Sequence, residues 1–133
     1  MTLLERRNIL MRSGNAIDWK AQFCALVDRS ITEVEIPEGV ENIGTCALSN
    51  CFKLLKVVLP TTTKSIGDQA FFGTGKMKTM VVKAVVPPSL AQNAMTYNIA
   101  GIYVPDESVE AYKASDWSIK ADKIHPMSEL TEY

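Results

Sequence analysis

The stretch KVVLPTTTKSIGDQAF (residues 56–71) contains most of one unit of a pattern that organises the middle of this chain. Val57 and Leu59 stand two residues apart, which predicts a short β-strand with both side chains on the same face. The proline that follows ends the strand, because it has no N–H to donate to a neighbouring strand. After a turn, Ile66 and Phe71 bring apolar side chains back toward the interior.

The same pattern occurs 23 residues earlier, in ITEVEIPEGVENIGTCAL (residues 31–48). A third copy begins at Met77, and a partial fourth copy begins at Ile99. The strand positions that align through the four copies are Val34, Val57, Met80 and Ile102. One unit is too small to bury its apolar side chains, whereas stacked units form a continuous core with parallel strands side by side. We therefore predict a solenoid of about four coils.

These repeats resemble the BspA-like leucine-rich repeats of bacterial surface antigens. The resemblance is carried by ITEVEIPEGVENIG, by KVVLPTTTKSIGDQAF and by the ending IYVPDESVEAYKASDW, and it spans roughly residues 30–125. It implies a leucine-rich-repeat solenoid of short parallel strands that acts in adhesion or recognition. The chain departs from this pattern at three positions. Lys83 replaces the proline in the third copy, and Leu48 and Met95 replace the phenylalanine in the first and third copies.

Both ends of the chain are expected to cap the stacked coils with short α-helices, because terminal coils otherwise expose apolar edges. Residues 1–30 form the predicted N-terminal cap, residues 31–105 the repeats, and residues 106–133 the C-terminal cap and tail. In the C-terminal part we expect Asp106 to cap a helix. The apolar residues expected to cover the last coil are Trp117, Ile119 and Ile124.

Composition and residue inventory argue against an enzyme. The formal net charge of −1 gives no overall attraction to nucleic acid, and no apolar run approaches the roughly 20 residues needed to cross a bilayer. His125 is the sole histidine of the chain. A single histidine does not indicate a metal site, and any catalytic triad would have to use this one residue. The three cysteines are expected to be reduced and mostly buried. We predict no catalytic residue, no cofactor and no metal.

The segment Gly73-Thr74-Gly75-Lys76 looks like the end of a phosphate-binding loop. Such a loop needs a glycine where this chain has Ala70, and a serine or threonine where it has Met77. Met77 is instead the first core position of the third copy. The segment is therefore predicted to close one coil and open the next.

Two rows of side chains are candidate partner contacts. The outward strand positions give Val58, Val81 and Tyr103, which are more apolar than a solvent-facing row requires. The alternatives are that such residues merely suit strands, or that a terminal segment covers them. Lys53 and Lys76, which are 23 residues apart, form a second row. The acidic residues Glu33, Glu35, Glu38 and Glu41 are expected to form a solvated face.

The favoured function is a non-enzymatic interaction or adhesion module that presents a rigid repeat surface to a protein, or to a glycan, at a bacterial or phage surface. Nucleic-acid binding and membrane insertion are not expected. The alternative is a structural subunit, phage-tail-associated or homo-oligomeric, that docks through the apolar segment LLERRNILM (residues 3–11). No signal peptide is visible, and the cell surface, the virion and the cytoplasm all remain open as locations.

Overall fold

A computed structural model describes residues 32–44, 48, 50–91, 93–95 and 99–130. The strands are β1 (Glu33–Glu35), β2 (Asn42–Ile43), β3 (Lys56–Leu59), β4 (Ser65–Ile66), β5 (Thr79–Val82), β6 (Ser89–Leu90), β7 (Gly101–Val104) and β8 (Ile124–Pro126). Within the described residues an α-helix, α1 (Val109–Lys113), lies among 3-10 segments at Asp106–Ser108, Asp116–Lys123 and Met127–Glu129. The N-terminal cap predicted for residues 1–30 lies outside the described residues.

The strands form two parallel sheets. A five-stranded sheet has the order β1-β3-β5-β7-β8, and a three-stranded sheet has the order β2-β4-β6. In the larger sheet Val34 pairs with Val57, Val57 with Met80, and Met80 with Ile102. This register confirms the alignment of the sequence copies, because each strand residue lies beside its equivalent in the next copy. The arrangement is that of a repeat solenoid.

The core lies between the two sheets and is formed by the repeated apolar positions. Ile43, Ile66 and Leu90 stand in register in the smaller sheet and face Val57 and its equivalents in the larger one. Among the described residues, the largest fully buried side chains are Trp117, Tyr112, Phe71, Ile36, Ile43, Leu48, Leu54, Leu59, Ile66 and Met77. Cys51 is buried, as predicted for the cysteines.

The turn that joins one coil to the next uses a left-handed backbone at a repeated position. Asn50 has a φ of 61°, and Gly73, which is 23 residues later, has a φ of 80°. Asparagine and glycine are the residues that adopt this region at least cost. A Cβ at Gly73 would also crowd the Asn50 side chain and lie 3.1 Å from the Asn50 backbone nitrogen, so this contact and the positive φ together require glycine there.

The segment Gly73-Thr74-Gly75-Lys76 therefore has a structural role in this turn. Thr74 is buried, and its hydroxyl donates to the Phe71 carbonyl at 2.6 Å. Met77 is buried in the core, as the repeat alignment predicted. The segment joins two coils and does not resemble a phosphate cradle.

The C-terminal part of the chain differs from prediction in three respects. Ile124–Pro126 is a fifth strand that pairs with β7, where a covering segment and a tail were expected. Asp106 makes no helix-capping hydrogen bond; its Oδ1 instead accepts from the Ser128 N–H at 3.0 Å. Ile119 was expected to cover the last coil, yet it is 63% exposed. Trp117 and Ile124 are buried as expected.

Candidate interaction surface

The outward row of the five-stranded sheet consists of equivalent positions on successive strands. Val58 pairs with Val81, and Val81 with Tyr103. Both valines lie outside the core cluster between the sheets, so they occupy the outer face, as strand alternation predicted. They are nevertheless only 8% and 0% exposed. A partner can reach these two side chains only if the groups that cover them move away, and their role as contacts stays a prediction.

Tyr103 is the last of the three residues along the chain and the most accessible member of this row. It is half-buried, and its ring centroid lies 5.5 Å from that of His125 on the neighbouring strand. The ring also lies back over Gly101, where a Cβ would come within 2.9 Å of the Tyr103 Cε2 atom. The lone histidine thus packs against an aromatic ring, and its Nδ1 lies 3.6 Å from Oε1 of Glu129.

The second predicted row, Lys53 and Lys76, is exposed on the turns between coils. Each lysine lies inside a tight turn: the Leu54 N–H donates to the Cys51 carbonyl at 3.1 Å, and the Met77 N–H donates to the Thr74 carbonyl at 3.0 Å. The backbone at this edge is therefore well defined. Lys78, also exposed, follows just before β5.

Three large apolar side chains are exposed beside these lysines. Phe52 is 56% exposed, Phe72 47% and Leu55 38%. The Asn50 N–H donates to the Phe72 carbonyl at 2.7 Å, so the Phe72 turn lies directly against the turn that carries Phe52. The Lys78 N–H donates to the Leu55 carbonyl at 2.9 Å, which places these two residues on adjacent coils. We call the six residues Phe52, Lys53, Leu55, Phe72, Lys76 and Lys78 the cationic edge.

Sequence reasoning found the lysines of the cationic edge but missed its apolar members. The signal was present in the repeat alignment. Phe52 occupies the position of Gly75 in the next copy, and Leu55 occupies that of Lys78. An apolar residue where another copy has glycine or lysine does not belong to the shared core pattern. Such a residue is a candidate for solvent exposure.

The acidic residues of the first coil do not converge on one point. Glu38 accepts from the N–H and the hydroxyl of Thr61, at 3.0 and 2.6 Å, and these bonds hold the pKa of its carboxyl below the usual value. Glu41 pairs with Lys64 at 3.5 Å. Both carboxylates thus join the first coil to the second, whereas Glu33 and Glu35 are exposed. Across the described ranges, no cluster of three or more histidine, cysteine or acidic residues is arranged to hold a metal ion.

No helix in the described part of the chain is long and apolar enough to cross a membrane.

Two stacked parallel sheets built from a repeat of about 23 residues define the class of the protein as a repeat solenoid. The family model described as BspA type leucine rich repeat region matches residues 22–111 in six copies, and the chain belongs to this family. Among curated proteins no significant match is found.

Proteins with leucine-rich repeats of this type generally mediate protein interaction or adhesion and are typically not enzymes. The family therefore agrees with the class of function that the sequence favoured. It names neither a partner nor a contact residue for this chain.

Proposed function

We propose that this chain is a non-enzymatic interaction module that presents side chains on stacked turns, in fixed register, to a protein partner at a bacterial or phage surface. The observation that carries the proposal is the cationic edge. Large apolar side chains are exposed there on a backbone that hydrogen bonds hold from coil to coil. Exposed apolar clusters on a soluble fold are typical of interaction sites.

Recognition by such a surface depends on preorganisation. A partner that binds flexible side chains on a flexible backbone loses part of the binding free energy in ordering them. Here the turns are already fixed by bonds such as Asn50 N–H to Phe72 carbonyl and by the glycine requirement at Gly73. The partner therefore meets a surface whose backbone needs no further ordering.

The predicted contact residues differ in how accessible they are. Lys53 and Lys76 are exposed, and Tyr103 is half-buried, so a partner can reach all three in the folded chain. Val58 and Val81 are buried, so a partner could contact them only after the groups that cover them move away. We therefore place the primary contact at the turns and not on the sheet face.

The proposed function is tested by measuring binding of the whole chain, immobilised through its terminus, to displayed libraries of protein segments and to a glycan array. We expect saturable binding to at least one protein ligand. The test variant is Gly73→Val, which disturbs the stacked turns but does not replace any exposed side chain of the cationic edge. We expect this variant to bind more weakly, because its surface is no longer preorganised.

Three other outcomes would change the assignment. Absence of any protein ligand would contradict the proposed function, and binding to glycans alone would replace the protein partner by a carbohydrate. Self-association of the chain at the same concentrations, seen by size-exclusion chromatography with light scattering, would favour the structural subunit. Deleting residues 3–11 would then show whether that segment, which lies outside the described residues, makes the contact.

A further inference from the structure

The cationic edge combines two kinds of group that seldom occur together on a solvated surface. Its apolar members Phe52, Leu55 and Phe72 are exposed, although transfer of apolar surface out of water is favourable. Its lysines Lys53, Lys76 and Lys78 take part in no ion pair with another described residue. An edge that combines exposed apolar groups with cations unpaired among the described residues fits a ligand that supplies both apolar surface and anions.

The borders of the edge limit what that ligand can be. Thr32 accepts from the Leu55 N–H at 2.7 Å, so the first coil adjoins the edge directly. The next residue, Glu33, is exposed and pairs in register with Lys56. A long polyanion that follows the edge across the coils would meet this carboxylate. The formal net charge of −1 also provides no long-range attraction to nucleic acid.

The arrangement of the apolar groups favours a short peptide over a nucleic acid. Gly75 occupies on the next coil the repeat position that Phe52 occupies here, and a Cβ at Gly75 would have no heavy atom within 4 Å, so the surface around Gly75 is open. Phe72 lies on the adjoining turn. An aromatic or aliphatic anchor can enter this space, while carboxylates on either side of the anchor reach the lysines at Lys53 and Lys76. Such central apolar anchors typically dominate the affinity of protein interfaces.

We propose that the cationic edge docks an acidic protein segment that carries an aromatic or aliphatic anchor. This inference rests on the proposed function, and it adds the chemistry of the partner and the place where the partner binds. The lysines contribute attraction and orientation, and Phe52, Leu55 and Phe72 contribute the apolar contact.

The test uses the full chain and a fluorescent peptide with a phenylalanine-leucine centre flanked by aspartates and glutamates. Three matched ligands accompany it: the peptide with glutamine in place of the acids, the peptide with serine in place of the anchor, and a single-stranded oligonucleotide. We expect the acidic, anchored peptide to bind best, with an affinity that falls as the salt concentration rises.

Two pairs of substitutions locate the site. Phe52→Ser with Phe72→Ser, and Lys53→Glu with Lys76→Glu, are each expected to weaken peptide binding by about tenfold or more. Lys113→Glu with Lys123→Glu changes the net charge by the same amount in the C-terminal part of the chain, and we expect it to leave binding within about twofold of the wild type. Circular dichroism melts of all variants establish that each one is folded.

Several results would overturn the inference. Peptide binding that all edge variants retain would move the docking site elsewhere, while the proposed function would still hold. Tighter binding of the oligonucleotide, lost in the same variants, would make the edge a nucleic-acid surface. A dimer that disappears in the edge variants would identify a second copy of the chain as the occupant. Absence of binding to the peptide by a chain that binds another protein ligand would also refute it.

Discussion

The C-terminal segment of residues 106–126 and the cationic edge use their large side chains in opposite ways. The segment buries Trp117 and Tyr112 completely and ties both to the backbone of the preceding coil. Trp117 Nε1 donates to the Pro88 carbonyl at 2.9 Å, and the Tyr112 hydroxyl donates to the Ala84 carbonyl at 2.6 Å. The edge instead leaves Phe52 and Phe72 exposed to solvent.

The difference between the two regions separates residues that maintain the fold from residues available to a partner. In the segment, polar atoms complete bonds that the coil would otherwise lack: Asp116 Oδ2 accepts from the Leu90 N–H at 3.1 Å, and the Ser108 hydroxyl donates to the Val85 carbonyl at 2.7 Å. Buried polar groups need such partners. At the edge the hydrogen bonds belong to the backbone, and the side chains remain available. We therefore expect substitutions in the segment to change stability, and substitutions at the edge to change binding.

The largest effect is expected from Trp117→Ala. The substitution removes a fully buried aromatic ring, its edge-to-face contact with Tyr112 at 5.5 Å, and the donor to Pro88. Loss of a buried aromatic side chain costs about 3–5 kcal/mol. Urea unfolding measures the change in the free energy of unfolding. Ile119→Ala in the same segment is the control, and its effect should stay within about 0.5 kcal/mol because the side chain is exposed. Equal costs for the two variants would mean that the segment does not pack as described.

A smaller effect is expected from Tyr112→Phe, which keeps the ring and removes only the hydroxyl. The buried Ala84 carbonyl then loses its donor, at a cost of about 1–3 kcal/mol near neutral pH. Burial raises the pKa of the Tyr112 hydroxyl well above its usual value near 10. Above about pH 10 the unfolded chain releases this proton while the folded chain retains it, so the wild type loses stability as pH rises.

The difference between wild type and Tyr112→Phe should consequently shrink in alkaline solution, since the variant has no such proton to lose. Urea unfolding at neutral pH and above pH 10 measures this difference. Tyr103→Phe, at a half-buried position on the outer sheet face, provides the control. A gap between wild type and Tyr112→Phe that stays constant with pH would contradict the role given to burial.

The repeat made much of the fold predictable from the sequence. The pairing of Val34, Val57, Met80 and Ile102 follows from their nearly equal spacing of 23, 23 and 22 residues, because equivalent residues lie side by side when similar units stack. Strand β8 was missed because helical turns, and not a second repeat strand, separate it from β7. Its residue Ile124 nevertheless stands 22 positions after Ile102, close to the repeat length.

The candidate site was only partly predictable. Lys53 and Lys76 were found because charge at a repeated position is visible in the sequence. The burial of Val81 could not be predicted, because strand alternation gives the face of the sheet on which a side chain lies but not what packs over that face. Exposure of Phe52 and Phe72 is likewise a property of the folded turn. An apolar residue in a sequence is expected inside, and only the positions of its neighbours show otherwise.

The smallest effect is expected at Glu38, which is exposed like the cationic edge yet bonded to the fold like the C-terminal segment. The hydrogen bonds from Thr61 lower the pKa of the Glu38 carboxyl in the folded chain. They therefore stabilise the folded chain fully above the pKa of the unfolded chain, which is near 4.5. This contribution is lost as the pH falls through the lower pKa of the folded chain. Because solvent screens the group, the contribution is at most about 0.5 kcal/mol. Glu38→Gln should therefore unfold at slightly lower urea concentration than the wild type at pH 7, and the two should converge in acid. Glu33→Gln on β1 is the matched control, because it replaces an exposed carboxylate of the same coil for which no bond to Thr61 is recorded. If Glu38→Gln also follows the wild type, the contact with Thr61 adds nothing measurable to the joining of the two coils.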